Sequence, residues 1–121
     1  MMNVVQNILG TEYTIISQTE DENPKLDGAD GLAELYSKKL IIDFTQADPK
    51  QAFENLDEYM KVVLRHEMIH AIFHESGLEK YVRDETLVQF IAMQYEKMEK
   101  LLNSKNVEDI IKMLRDSSKG E

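Results

Sequence analysis

The chain has 121 residues, enough for one domain with a single hydrophobic core and too few for two. It contains no cysteine, so a disulfide framework and a thiolate metal ligand are excluded, and any metal site must use His, Asp or Glu. The net charge of −9 is spread along the chain, which argues against a nucleic-acid-binding surface. The N-terminus lacks a positive start and a continuous apolar stretch, so we expect no signal peptide, no membrane span and a cytoplasmic location.

The N-terminal third of the chain is expected to form a small sheet. Residues 3–9 place apolar side chains at helical spacing before Gly10, which predicts a short helix, with a strand as the alternative. Three segments are rich in β-branched and aromatic residues, which predicts strands at 11–19, 31–36 and 39–44. The polar segment 20–30, broken by Pro and Gly, predicts a surface loop. Together these segments predict a three-stranded, mostly antiparallel sheet.

A long helix is expected after the sheet. An Asp-Pro pair at 48–49 and a pattern resembling a capping box at 55–58 are both helix start signals. We therefore predict a short helix followed by a long one within 49–76. Gly77 is expected to end the long helix in the left-handed conformation.

Two further helices are expected at the C-terminus. Asp84 is predicted to cap one whose apolar positions keep a three-to-four period up to Leu102, and Asn106 to cap a last one. The tail from 117 to 121 is expected to fray. The predicted fold is therefore α+β, a single domain over residues 1–121 with the sheet packed on the long helix and one or two C-terminal helices.

The long helix carries two histidines four residues apart with a glutamate after the first, in the segment His66-Glu67-Met68-Ile69-His70. Residues i and i+4 share a helix face, so His66 and His70 can bind one metal ion. Zinc is predicted because it suits neutral imidazole and acidifies a bound water. Glu67 is turned by about 100° and can act as general base on that water. The surrounding helix is apolar almost all round, and histidines without partners would be costly there.

A catalytic zinc takes three protein ligands, and the sequence offers two main candidates for the third. His74 lies on the same face, but eight residues place it about 12 Å from His66 along the axis, too far for one ion to bridge. His74 is expected to be either a cleft residue or plain helix surface. Glu85 is favoured, because a helix packed antiparallel to the first would bring its N-terminal turn back to the metal. If Glu85 is not the ligand, Asp84 or Glu96 is considered next.

Two segments carry a family resemblance, Leu-Arg-His-Glu-Met-Ile-His-Ala at 64–71 and Asp-Glu-Thr-Leu-Val-Gln-Phe-Ile-Ala at 84–92. They resemble the gluzincin arrangement, and most closely the small phage and prophage zincin-like metallopeptidases related to the ImmA/IrrE group. The likeness covers roughly residues 11–102 and implies a minimal zincin-like fold in which the glutamate of the second helix, here Glu85, completes the metal site. Thermolysin-like enzymes place an Asp one turn later to orient a ligand histidine. This chain has Gln89 there, which keeps a hydrogen bond but loses the charge.

The motif and the resemblance imply a zinc-dependent peptidase, with a protein or peptide substrate lying as an added strand on the sheet edge. The alternative is a non-catalytic metal-binding interaction module of a phage or mobile element. The short chain and Gln89 favour the module, whereas Glu67, which metal binding alone does not require, favours the enzyme. No nucleic-acid or membrane partner is expected, a phage-encoded protein would act in the host cytoplasm, and the oligomeric state is left open. Four tyrosines are candidates for stabilising the oxyanion and none is singled out: Tyr36, Tyr59, Tyr81 and Tyr95.

Overall fold

The computed structural model describes residues 3–45 and 49–119, without the side chains of 49–54. Within these residues the chain has an α+β fold. The strands are β1 (Val4–Ile8), β2 (Thr11–Ser17), β3 (Gly31–Glu34) and β4 (Lys39–Ile42). The helices are α1 (Pro49–Glu75), α2 (Glu79–Val82), α3 (Glu85–Leu102) and α4 (Ser104–Lys119). In the part of the chain that is described, no helix combines the length and the apolar character needed to cross a bilayer.

The sheet has four strands in the order β1-β2-β4-β3, which corrects the expected three-stranded, mostly antiparallel sheet. β1 pairs antiparallel with β2, and β3 with β4, whereas β2 and β4 run parallel. The parallel pair arises because the chain leaves β2, crosses to form the outer strand β3, and then returns as β4, which lies between β2 and β3. The crossing segment, predicted as a plain loop, contains a short 3-10 helix at Pro24–Leu26 whose Leu26 is buried.

Residues 3–9 were expected to be helical but contain strand β1, the alternative that the apolar pattern allowed. Val4 lies opposite Ile15 of β2. The connecting turn has positive φ at Leu9 (51°) and Gly10 (94°), the two-residue geometry that matches the twist of a hairpin. A five-residue apolar pattern fits one helical turn as well as a strand, and the pairing with β2 decides between them.

Helix α1 is interrupted at Asn55, where φ of −165° and ψ of 90° are extended values. The Asn55 side chain accepts a hydrogen bond from the backbone N–H of Glu58 at 3.2 Å. The predicted short helix followed by a long one is therefore confirmed, with Asn55 as the cap of the second part. The predicted cap at Asp48 lies outside the described residues.

The predicted end of α1 and start of α3 are both confirmed. Gly77 has φ of 73°, and the N–H of Leu78 donates to the carbonyl of Phe73 at 2.9 Å, as in a Schellman motif. Asp84 caps α3 by accepting a hydrogen bond from the N–H of Leu87 at 3.0 Å.

The predicted start of the last helix is wrong by three residues. Asn103, not Asn106, caps α4, because the Asn103 side chain accepts a hydrogen bond from the N–H of Asn106 at 2.9 Å. Both residues are good caps by type, and the choice depends on where the turn after α3 ends. The helix also continues to Lys119, although fraying was expected from 117, and 120–121 lie outside the described residues.

Helix α1 lies between the sheet and α3 and supplies side chains to two apolar clusters. The first cluster joins the sheet to α1 through Ile8, Tyr13, Leu40 and Ala71. The second joins α1 to α3 through Ile69, Val88 and Ala92. Arg65 near the middle of α1 pairs with Glu96 late in α3, whereas His66 and His70 reach Glu85 at its start. The two helices are therefore antiparallel, which is the arrangement expected if Glu85 is to reach the two histidines.

The C-terminal end of α1 is joined to the sheet by Glu75. Its carboxylate accepts hydrogen bonds from the Thr11 hydroxyl at 2.7 Å, the Tyr13 hydroxyl at 2.6 Å and the Lys38 ammonium at 2.8 Å. These donors come from β2 and from the turn between β3 and β4. One side chain therefore holds α1 against two hairpins and fixes the direction in which the helix crosses the sheet.

Candidate metal centre

Two histidines of α1 and one glutamate of α3 meet where the two helices pack together. Glu85 Oε2 lies 2.7 Å from His66 Nε2, and Glu85 Oε1 lies 3.1 Å from His70 Nε2. One potential ligand atom from each residue lies within 4.8 Å of the other two. The structure thus brings together the three residues predicted as ligands, and their role as ligands stays a prediction.

The second ring nitrogen of each histidine faces an oxygen acceptor. His66 Nδ1 lies 2.7 Å from Gln89 Oε1, and His70 Nδ1 pairs with the backbone carbonyl of Val82. Because a carbonyl oxygen can only accept, each Nδ1 donates a hydrogen bond, and the Nε2 atom of each ring faces Glu85. Gln89 therefore occupies the position of the expected hydrogen-bond partner of His66.

This arrangement fits a metal ion. Two neutral imidazole nitrogens and a carboxylate are all acceptors, and acceptors 2.7 Å and 3.1 Å apart repel unless a proton or a cation lies between them. The donor set of two nitrogens and one oxygen is a common one for catalytic zinc. The Glu85 side chain is 67% exposed, which leaves room for the small movement that bonds of about 2 Å require.

Glu67 extends from α1 towards β3, where Gly31 lies against its side chain. Only 7% of the residue is exposed, and this burial raises the pKa of Glu67 from 4.5 to about 7. The nearby His66 opposes the rise in pKa and the Glu85 carboxylate adds to it. A buried carboxyl next to a group of potential metal ligands, here His66, His70 and Glu85, is a typical acid–base group.

Gly31 is a site residue that sequence reasoning missed. A Cβ atom built on Gly31 would lie 2.9 Å from both Cγ and Oε2 of Glu67, closer than real Cβ contacts. The glycine therefore allows strand β3 to lie directly against the Glu67 carboxylate. The available signal was a glycine at the start of a predicted strand, which is typical of close backbone approach.

The candidate ligands and Glu67 line one cleft of 540 Å³ between α1 and strand β3. Apolar side chains also line it, with Leu32 and Ala33 on the strand side and Val62 and Val63 on the helix side. β3 is an outer strand of the sheet, so one long wall of the cleft is a sheet edge.

Tyr59 stands at one end of this cleft, and its hydroxyl donates a hydrogen bond to the Asp30 carboxylate. Of the four tyrosines named from the sequence, all among the described residues, Tyr59 alone lines the cleft. It precedes His66 by two helical turns, or about 10 Å. The oxyanion donor stays unassigned.

His74 lies apart from the cluster of acceptor atoms. Its Nδ1 is 2.9 Å from Glu79 Oε1, a contact aligned too poorly for a hydrogen bond, and the Tyr36 ring meets it edge-on at 5.3 Å. The two other acids considered as ligands have different partners, since Asp84 caps α3 and Glu96 pairs with Arg65 at 3.1 Å. Among the described residues, Glu85 is the acid that reaches both histidines.

Comparison of the chain with protein-family models, with curated proteins and with solved structures finds no match. The functional argument therefore depends on the chemistry of this site.

Proposed function

We propose that the protein is a zinc-dependent metallopeptidase with His66, His70 and Glu85 as metal ligands and Glu67 as general base. The observation that carries the proposal is the convergence of two imidazole nitrogens on one carboxylate, with N–O distances of 2.7 Å and 3.1 Å, in a cleft that also contains a buried glutamate. The resemblance to gluzincins of the phage and prophage type supports the same reaction.

The side chains of this site would have separate roles in peptide hydrolysis. A zinc ion bound here would act as a Lewis acid and lower the pKa of a coordinated water. Glu67 takes the proton from the attacking water at its carboxylate and returns it to the leaving amine. Close contact with Gly31 keeps that carboxylate in place, and Gln89 holds the ring of His66.

The edge of β3 suits an extended peptide. The Asp30 carbonyl accepts a hydrogen bond from the Asp43 N–H at 2.8 Å, on the β4 side. Because backbone groups alternate along a strand, those of Leu32 also face β4, and those of Gly31 and Ala33 face the open edge. A peptide that pairs with Gly31 and Ala33 lies along the cleft wall and passes Glu67. This supports a protein or peptide substrate bound in extended conformation.

The second candidate function is a non-catalytic metal-binding interaction module. It is favoured by Gln89, a neutral partner of His66 where thermolysin-like enzymes have a carboxylate. A neutral partner makes the imidazole a weaker ligand and the site a weaker catalyst. The module requires the three ligands but gives no role to the buried Glu67.

The experiment that tests the enzyme measures metal content and hydrolysis together in wild type and Glu67→Gln. Wild type should hold about one zinc per chain and cleave an unfolded protein mixture. Glu67→Gln should keep the zinc and lose about 10²- to 10⁴-fold in rate, because only the proton acceptor is removed. The matched control Glu99→Gln alters an exposed glutamate of α3 and should behave as wild type. Full zinc occupancy without cleavage would support the module, and a wild type that holds no zinc would contradict both functions.

A further inference from the structure

Helix α4 carries an apolar face that the described part of the chain leaves uncovered. Val107, Ile110, Ile111 and Leu114 recur at three- and four-residue spacing with exposed fractions of 39%, 42%, 41% and 66%. No residue of α4 is buried, and its main contacts are made to α3 around the Asn103 turn. A stripe of this kind on a helix is typical of a surface that packs against another helix.

The charges beside this stripe suit a second copy of the same helix. Glu108 and Arg115 are two turns apart on one side of α4 and line one shallow depression together with Ile111. The helix carries four basic and three acidic side chains, namely Lys105, Lys112, Arg115, Lys119, Glu108, Asp109 and Asp116. Its net charge is therefore +1 in a chain of net charge −9, so two copies repel each other least at this surface.

We propose that two copies of this chain form a dimer in which their α4 helices pack antiparallel about a two-fold axis near Ile111. Glu108 and Arg115 lie about 4.5 Å and 6 Å along the helix on either side of that point. The two-fold rotation therefore places Glu108 of each copy opposite Arg115 of its partner, twice per dimer and on the same flank. A parallel pairing would place the Glu108 and Arg115 flanks of the two copies on opposite sides of the interface, so neither ion pair could form.

The size of the helix sets the expected strength of this dimer. Sixteen residues make a helix about 24 Å long, and one such helix per copy falls at the low end of stable interface areas. The exposed Leu101 and Leu102, which directly precede the α3–α4 turn, add apolar surface. We expect a reversible dimer with a dissociation constant on the order of micromolar.

Sedimentation equilibrium of the full chain over a concentration series tests the proposal through charge reversal. Glu108→Arg and Arg115→Glu each create two like-charge contacts per dimer, so each variant alone should dimerise about tenfold more weakly or worse. An equimolar mixture of the two variants should dimerise again, because each copy then meets its complement on both sides. The control Asp109→Lys makes the same change of charge on the opposite side of α4 and should leave dimerisation unchanged.

The helix has no buried residue, so these variants should keep the fold, and circular dichroism checks that they do. Ile111→Asp, which interrupts the apolar stripe itself, should give a monomer independently of the charge pairs. A wild type that stays monomeric at every concentration would overturn the proposal. So would a dimer that ignores both charge reversals, or a mixture of variants that fails to restore it.

Discussion

Glu85 is the one predicted ligand that lies outside the α1 motif, and its side chain contacts both histidines. Glu85→Ala would leave two imidazoles, so we expect zinc affinity to fall by more than about 100-fold. Competition with a chromogenic chelator measures this change. His74→Ala is the control, because His74 contacts Glu79 and Tyr36 rather than the cluster, and it should keep wild-type affinity. Equal affinity of Glu85→Ala and wild type would show that the third ligand is elsewhere.

Gln89 differs from Glu85 in that it would act on a bound metal through another residue, His66. Its side chain oxygen accepts from His66 Nδ1 at 2.7 Å and so fixes which ring nitrogen is free for the metal. Gln89→Leu should lower zinc affinity about 10- to 100-fold, whereas Gln89→Glu should keep or raise it, because a glutamate has the same length and also accepts this hydrogen bond. Isothermal titration with zinc distinguishes the two variants. If Gln89→Leu binds as tightly as wild type, the hydrogen bond does not orient His66.

Gly31 allows a test of how closely Glu67 must be held. An added Cβ would lie 2.9 Å from the Glu67 carboxylate and would displace it. Gly31→Ala should therefore slow peptide cleavage by up to about 100-fold, the effect expected of a misplaced reacting group. Zinc affinity is the internal control and should stay unchanged. The Cβ atom added at Gly31 would lie close to Glu67 and to none of the candidate metal ligands. Wild-type cleavage rates in Gly31→Ala would show that catalysis does not depend on the close contact between Gly31 and Glu67.

These residues differ in how far the sequence could predict them. His66, Glu67 and His70 follow from spacing along one helix, which is a local property. Glu85 also required a second helix to fold back, and its capped position at the start of α3 made that prediction possible. Gly31 could not be assigned in advance, because its contact with Glu67 joins the strand backbone to a side chain from another element.

At the scale of elements, residues that start or end a helix predicted the secondary structure better than short apolar patterns did. The caps at Asn55 and Asp84 and the stop at Gly77 depend on hydrogen bonds within a few residues, and all three are present. β1 and the parallel pairing of β2 with β4 depend on contacts between distant parts of the chain. The five residues of β1 carry too little information to separate a strand from a helical turn, so the sheet order could not be derived.

Glu75 connects α1 with the sheet and makes this connection sensitive to pH. Hydrogen bonds from Lys38, Tyr13 and Thr11 lower the pKa of Glu75 from 4.5 to about 2. A depressed pKa in the folded state adds stability above the unfolded-state value, and this contribution is lost as pH falls from about 4.5 towards about 2. Glu75→Gln should therefore lower the free energy of unfolding by about 1–3 kcal/mol at neutral pH, and by less in acid.

Urea unfolding of wild type and Glu75→Gln at a series of pH values measures this difference. Glu12→Gln, which changes an exposed glutamate of β2, is the control, and its free energy of unfolding should not differ from that of wild type in a pH-dependent way. If the difference in free energy of unfolding between Glu75→Gln and wild type is the same at neutral and acidic pH, the Glu75 charge does not have the proposed role.

At the scale of the whole molecule, the candidate metal centre joins separate helices. His66 and His70 belong to α1, Glu85 begins α3, and the Val82 carbonyl that holds His70 closes α2. A ligand that binds only when these helices are docked adds its binding free energy to folding, about 4 kcal/mol at a thousandfold excess over the dissociation constant. For a chain of this size, zinc should raise Tm on the order of ten degrees, and chelation should reverse the rise.

Thermal unfolding followed by circular dichroism, with zinc or with chelator, measures this shift in Tm. Glu67→Gln should keep the zinc-dependent shift and Glu85→Ala should lose it, because the first removes a proton acceptor and the second a ligand. Magnesium should have little effect, since it prefers an all-oxygen site to imidazole. An unchanged wild-type Tm on adding zinc would mean that the three acceptor atoms do not hold the metal, and the proposed peptidase activity would fail with it.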